Sequence, residues 1–237
     1  PLRFTVPRGG ESGWPSNSID QFILRRMELA NLRPSARADD EKLLRRVCFD
    51  LLGLPPTSGQ RELFLSDRRP DAWSRLVDRL LADPHMGERW GRHWLDVVRF
   101  AESYGFEHDL DNKNAYHFRD FVIRAFNDDM PFDRFVRWQL AGDELAPADP
   151  LARMATGFLA AGVHNADIAK VRVEQERYDE LDDLVNTVGT SLLGLSVGCA
   201  RCHDHKFDPI SQEEYYRFVA IFERTVRGEM NLSTRGT

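Results

Sequence analysis

Five consecutive residues of the 237-residue chain read Cys199-Ala200-Arg201-Cys202-His203. C-x-x-C-H is the attachment signature of c-type haem. Its spacing has a chemical reason: two thiols three positions apart reach the two vinyl groups of one porphyrin, and the following histidine then faces the iron as proximal ligand. Two plainer chemistries use the same residues. Zinc requires further nitrogen or sulfur ligands at matching spacing; His205 is one, but the sequence holds no second C-x-x-C. A dithiol redox pair belongs in a β-α-β context, and no long alternating strand pattern is present. The expectation is one covalent haem c per chain, bound by Cys199, Cys202 and His203. The third cysteine, Cys48, shares an apolar helical stripe with Leu44, Val47 and Leu51 and reads as a core thiol.

The motif supplies one axial ligand, and the opposite one largely decides whether a haem carries electrons or binds small molecules. Trp90, His93, Trp94 and Val97 follow i, i+3, i+4, i+7, which sets His93 on an apolar stripe between two tryptophans. Met86 lies seven residues before His93 on that face. His93 is the candidate distal ligand, Met86 the alternative, and Trp90 and Trp94 are candidate walls for a flat ring. An imidazole on such a stripe serves equally as a core group bonded to a carbonyl. His85 reads as a capping or surface group. His108, His117 and His164 lie in or beside two long loops, where ligands are often carried. His205 is too near His203 in the chain to reach the other face of the same iron and reads as an outer contact, with Asp204 and Asp208 able to hydrogen-bond the ligand histidines. Arg201, Lys206, Arg89, Arg92 and Arg99 are candidate partners for propionates, Arg201 first because it sits inside the motif. The acidic run Glu176, Asp179, Glu180, Asp182, Asp183 raises calcium, but a helix spreads the oxygens around its axis, and the helix dipole explains acidic residues near a helix start.

Helical periodicity dominates the elements that must position these residues. Helices are expected at about 19–30 (capped by Ser18), 40–52 (capped by Asp39 or Asp40), 58–65, 71–82, 85–100 (opened by Asp83-Pro84), 115–128, 131–140, 151–161, 174–195 and 211–223. Two long loops, 102–114 and 162–173, and the polar connection GDELAPADP separate them, and loops of this length are often functional. The fold class expected is all-α: an irregular multi-helix domain over 17–224, with the haem turn before the last helix, an N-terminal extension at 1–16 and a tail or linker at 225–237. The chain is 42% hydrophobic and 30% charged, a globular balance that excludes wholesale disorder and collagen. No apolar run approaches the ~20 residues of a membrane span. A net charge of -6 shows no basic excess for nucleic acid. The opening PLRFTVPRGG lacks the features of a signal peptide, so the protein is cytoplasmic or its export signal lies outside this stretch.

The segment GLSVGCARCHDHKFDPISQEEYYRFVAIFE closely resembles the end of the planctomycete family catalogued as domain of unknown function 1549. LLRRVCFDLLGLPPT, DPHMGERWGRHWLDVVRFAES, PFDRFVRWQLAGDEL and YDELDDLVNTVGTSLLGL resemble it too, so the likeness runs from about Asn17 to Glu223. The resemblance implies an exported, periplasmic or cell-surface c-type haem domain, set in a large polypeptide beside a cytochrome-like module. It implies no reaction.

The leading expectation is electron transfer by iron cycling between Fe(II) and Fe(III), with a redox partner protein or a neighbouring cytochrome module. One rival is a haem enzyme or a gas- or peroxide-binding module, open on the distal side, with the loop 102–114 as lid and Tyr104, His108 or Arg99 acting on the bound molecule. The other is a binding or scaffold domain of an exported polysaccharide-degrading system, with haem mainly structural.

Overall fold

A computed structural model describes residues 5–7, 14–105, 109–165, 173–230 and 232. His108 and residues 166–172 of the second long loop lie outside them. Among the described residues the chain is helical, and its strand-like pairing is one isolated bridge, Ser103 to Asp111. The helices are α1 (Ser18–Leu29), α2 (Asp40–Leu52), α3 (Ser58–Ser66), α4 (Ala72–Leu81), α5 (His85–Val97), α6 (Tyr116–Asn127), α7 (Phe132–Leu145), α8 (Pro150–Ala155), α9 (Val173–Val188) and α10 (Gln212–Ile221). Two compact units divide the chain, residues 1–46 and 47–237, with the boundary inside the stretch expected to form one domain. The first holds α1 and the opening turns of α2. The second holds the motif and every other candidate site residue.

Local chemistry sets the ends of these helices. Asn17, not Ser18, caps α1: its Oδ1 accepts from the Asp20 amide at 3.0 Å, and Ser18 is the first helical residue. Asp39 takes the same role for α2 through the Lys42 amide at 2.8 Å. Thr57 with Gln60, and Ser211 with Glu214, form reciprocal capping boxes on α3 and α10. Two expected helices are shorter than their sequence periodicity. α5 ends at Val97, and Arg99 stands in the left-handed region at φ 53°. α9 ends at Val188, where the backbone widens into a π turn, Gly189–Leu193, and closes on Gly194 at φ 66°. α7 breaks at Ala141 (φ -156°, ψ 36°), next to its expected end, then makes one further turn through part of the polar connection.

The core of the second unit joins α6, α7, α9 and α10. Phe118, Phe121 and Phe135 stack in series, with centroids 6.3 and 5.6 Å apart, against Leu181 and Val185 of α9 and Tyr215 and Val219 of α10. One polar group is fully buried there. Gln139 accepts from the Trp94 indole at 2.7 Å and donates to the Phe135 carbonyl at 2.9 Å, so its burial is compensated.

α5 presents a different face to the protein from the one its large residues suggest. Trp90 is 40% exposed, Val97 52%, and His93 is exposed. The buried positions are Gly87, Gly91 and Val98, with Trp94 beside them. The reason is the close approach of α6: a Cβ on Gly87 would stand 2.4 Å from the Ile123 carbonyl oxygen. The Gly87 amide also donates to Asn127 Oδ1 at 2.8 Å.

Gly87→Ala gains about 1 kcal/mol of helix propensity and loses about 1–3 kcal/mol to overpacking against backbone that cannot retreat. Net destabilisation is the expected outcome in chemical denaturation; an unchanged or raised midpoint would refute the close-packed face. Cys48 is fully buried, and burial pushes its thiol pKa up. A thiol reagent should label it only as the protein unfolds, and stopped-flow labelling of native protein checks this.

Candidate functional site

The motif begins on a short 3-10 turn, Val197–Arg201, with Cys202 at its end. Gly194 reverses the chain before it. The turn packs between α9 and α10. From α10, Gln212 Nε2 and the Tyr216 hydroxyl both donate to the Arg201 carbonyl, at 3.0 and 3.2 Å, and the Gln212 amide donates to Asp204 Oδ1 at 2.9 Å. The Asp204 carboxylate is therefore spent on the start of α10, not on a ligand histidine. Its carbonyl does that work: His203 Nδ1 lies 2.7 Å from Asp204 O, which places the proton on Nδ1 and leaves Nε2 as the lone-pair nitrogen. Cys199 and Cys202 are free and exposed, as is His203.

Arg201 anchors the turn to α9. Its guanidinium donates to Asp179 at 2.6 Å and pairs with Asp182 at 3.1 Å. The Asp179 hydrogen bond, followed by the charges of Asp182 and Asp179, outweighs burial and raises the arginine's pKa, and Arg201 in turn lowers that of Asp179. The buried Tyr215 hydroxyl donates to Asp182, and burial first, then this carboxylate, pushes the phenol up. The side chain expected to meet a propionate already holds two carboxylates.

His205 organises the loop after the motif. Its Nδ1 accepts from the amides of Phe207 (3.2 Å) and Asp208 (2.8 Å), and its own amide donates to the Ile210 carbonyl at 2.8 Å. Nδ1 therefore carries no proton, and the Asp208 carboxylate 3.5 Å away is a neighbour and not an ion-pair partner. Lys206 lies over the Phe207 ring at 5.2 Å.

The remaining candidates stand apart from this turn. α5, which bears Met86, Trp90, His93 and Trp94, packs on α6, whereas the motif packs on α9 and α10. His93 meets Trp90 edge-on at 5.4 Å at the surface, Trp94 is committed to Gln139 and Phe135, and Met86 is half-buried in the first turn. His85 pairs with Asp83 at 2.7 Å. Arg92 is exposed, and Arg89 Nε is buried without a hydrogen-bond partner. Arg99 forks onto Asp183, with Nε to Oδ1 at 2.8 Å. Tyr104, His117 and His164 line a cavity that none of Cys199, Cys202 and His203 reaches.

The acidic run has a simpler account than calcium. The first turn of α9 holds Glu174 and Glu176, which the dipole explains. Asp179, Glu180, Asp182 and Asp183 lie beyond it: Arg201 pairs with Asp179 and Asp182, Arg99 pairs with Asp183, and His164 hydrogen-bonds Glu180. Among the described residues no group of three or more His, Cys, Asp or Glu is placed to hold a metal ion. Spacing gave no sign of the His164–Glu180 pair or of Arg227 beside it, because residues distant in the chain meet there; only Arg177, three residues before Glu180 on α9, has a helical spacing to it.

Residues 18–227 match the family described as PSCyt2, protein of unknown function (DUF1549), and the chain belongs to that family. No curated protein and no solved structure matches it. No described helix is long and apolar enough to cross a membrane.

Arg201→Ala should lower stability by up to about 1 kcal/mol, the upper range for partly exposed ion pairs, and expose the motif turn to amide exchange ahead of α6. A turn as protected as in the wild type would remove Arg201 as anchor. The Asp179 pair has a pH signature. With its pKa held below the usual 3.8 by Arg201, Asp179 adds stability that is full above pH 4 and is lost as pH falls through the lowered value. The stability gap between wild type and Asp179→Asn should be constant from pH 5 to 7 and close below pH 4 in acid titrations.

Proposed function

We propose that this member of the DUF1549 family attaches one c-type haem through Cys199 and Cys202, with His203 as proximal iron ligand, and that the domain transfers electrons to a partner protein or a neighbouring redox module outside the cytoplasm. The observation that carries the reading is the state of the motif: two free, exposed thiols on one turn, followed by an imidazole whose Nδ1 proton is tied to a backbone carbonyl. That hydrogen bond fixes the tautomer and orients the ring, as outer contacts of metal-binding histidines do.

The residues fit the group in a second respect. Large apolar side chains stand exposed on the segments running into and out of the turn: Leu193 at 58%, Leu195 at 38% and Phe207 at 83%, with Tyr216 of α10 at 46%. Apolar side chains exposed on the segments either side of the turn are available to cover a flat ring. When bound, haem supplies an iron centre that accepts and releases one electron. The chain's part is to present the thiols, to hold Nε2 in position and to fix the turn between α9 and α10.

The positions of the described histidines favour an open sixth coordination site. His85, His93, His117 and His164 are each engaged or placed away from the motif, and His205 is fixed by its own loop. This supports the small-molecule-binding variant of the reading, in which the same proximal ligand serves an iron open on its distal side.

Matured in a host that attaches c-type haem, the protein should keep its haem through acid-acetone extraction and denaturation. Cys199→Ser with Cys202→Ser should abolish retention. Haem lost wholly from the wild type on extraction would sink the proposal. Reduced protein that binds carbon monoxide within the mixing time assigns the open site. A low-spin spectrum that His93→Ala leaves unchanged excludes His93 as ligand.

A further inference from the structure

The two long loops meet each other at a distance from the motif. The His164 amide donates to the Tyr104 carbonyl at 2.9 Å, and the first loop is closed on itself by the Tyr104 amide to Leu110 O (2.8 Å) and the Asn112 amide to Glu102 O (2.8 Å). Tyr104, Asn112 and His164 of these loops, with α9, the 3-10 turn after α8 and residues 225–230, line a cavity of about 850 Å³ that opens to solvent. That volume falls within the range of small-molecule sites. We propose that this cavity binds an uncharged, hydroxyl-rich small molecule, with His164, set by Glu180, as its principal polar contact.

The charge of the lining selects against ions. Arg153, Arg177 and Arg227 face the cavity with Asp143, Glu180 and Glu229, three cations against three carboxylates. Two of the arginines are also occupied. Arg177 donates to the carbonyls of Phe222, Glu223 and Thr225, and Arg227 to those of Gly162 and Val163. Their guanidiniums build the wall and leave little cationic capacity for an anionic ligand.

His164 is the prepared group. Its Nδ1 is 2.5 Å from Glu180 Oε1, and with that nitrogen donating, Nε2 is left as an acceptor for a ligand hydroxyl. The side chains of the pair are 26% and 20% exposed, so the bond forms in a partly dehydrated site. The Tyr104 ring stands edge-on to His164 at 5.6 Å, and Tyr104 belongs to the same lining. Phe100 and Phe118 add flat apolar surface beside these polar groups. Apolar faces with a few fixed donors and acceptors match a ring that is apolar on its C–H faces and polar at its rim.

The proposal goes beyond haem attachment and is independent of it, because the cavity contains no motif residue. Its test is saturation-transfer NMR on the whole chain with an equimolar mixture of glucose, galactose, mannose, xylose and fucose, followed by calorimetric titration of the strongest responder and of glucuronate as the charged control. The expected result is saturable binding of a neutral sugar, at least tenfold weaker in His164→Ala and several-fold weaker in Tyr104→Phe, a variant that removes only a hydroxyl and keeps the packing. Cys199→Ser with Cys202→Ser should leave the binding constant unchanged, so failure of the haem reading and failure of this one are distinguishable. Absence of saturable binding by every neutral sugar, binding that survives both cavity variants, or tighter binding of glucuronate than of the neutral sugars would overturn it.

Discussion

Four carboxylates on five consecutive residues of α9 must be neutralised while the opposite side of the same helix is buried. Leu181, Leu184, Val185 and Val188 commit α9 to the core. Asp179, Glu180, Asp182 and Asp183 therefore stand at the edge of a low-dielectric region, where unpaired charge is costly. The chain answers from distant positions: Arg99 reaches Asp183 across 84 residues, His164 reaches Glu180 across 16, and Arg201 reaches Asp179 across 22. These side chains are one-fifth to one-half exposed, so no single pair contributes much stability. Their effect is geometric. They place the end of α5, the second loop and the motif turn on one helix, and the cavity and the motif turn are both built against that helix.

Much of this was legible in the sequence. The helices follow from apolar periodicity and capping chemistry, and boundaries moved by only a few residues where an Asn replaced a Ser as cap or a glycine stopped a helix. The C-x-x-C-H turn is a local pattern, so its position between two helices was readable. The packing face of α5 was not. Periodicity weighs large side chains, whereas this helix is buried through Gly87 and Gly91, which contribute nothing to an apolar stripe. Trp90 and Trp94 read as a pocket wall around a candidate ligand, His93, for that reason; Trp90 and His93 are exposed and Trp94 is committed to Gln139 and Phe135.

The partners of Arg201, His164 and Glu180 were hidden for a related reason. An ion pair between a loop and a helix has no characteristic spacing, so an acidic run on a helix reads as dipole chemistry until its cations are seen. Arg201 illustrates the cost. Its place inside the motif suggested a role toward a cofactor, and its side chain reaches Asp179 and Asp182 and ties the motif to the fold. Tyr104 and His164 sat in the two loops singled out for function, and these two residues meet each other in a cavity that has no cysteine in its lining.

The anchoring of residues 222–227 has a mechanical consequence. Arg177 gathers the carbonyls of Phe222, Glu223 and Thr225 just beyond α10, and Arg227 of the same segment donates to the carbonyls of Gly162 and Val163. A pull on the chain beyond Arg227 would meet these hydrogen bonds before it reached α10. The turn that bears the cysteines leans on α10 through Gln212 and Tyr216. Two guanidiniums thus act as a strain relief, keeping tension on the C-terminal segment from being passed to the cysteine-bearing turn.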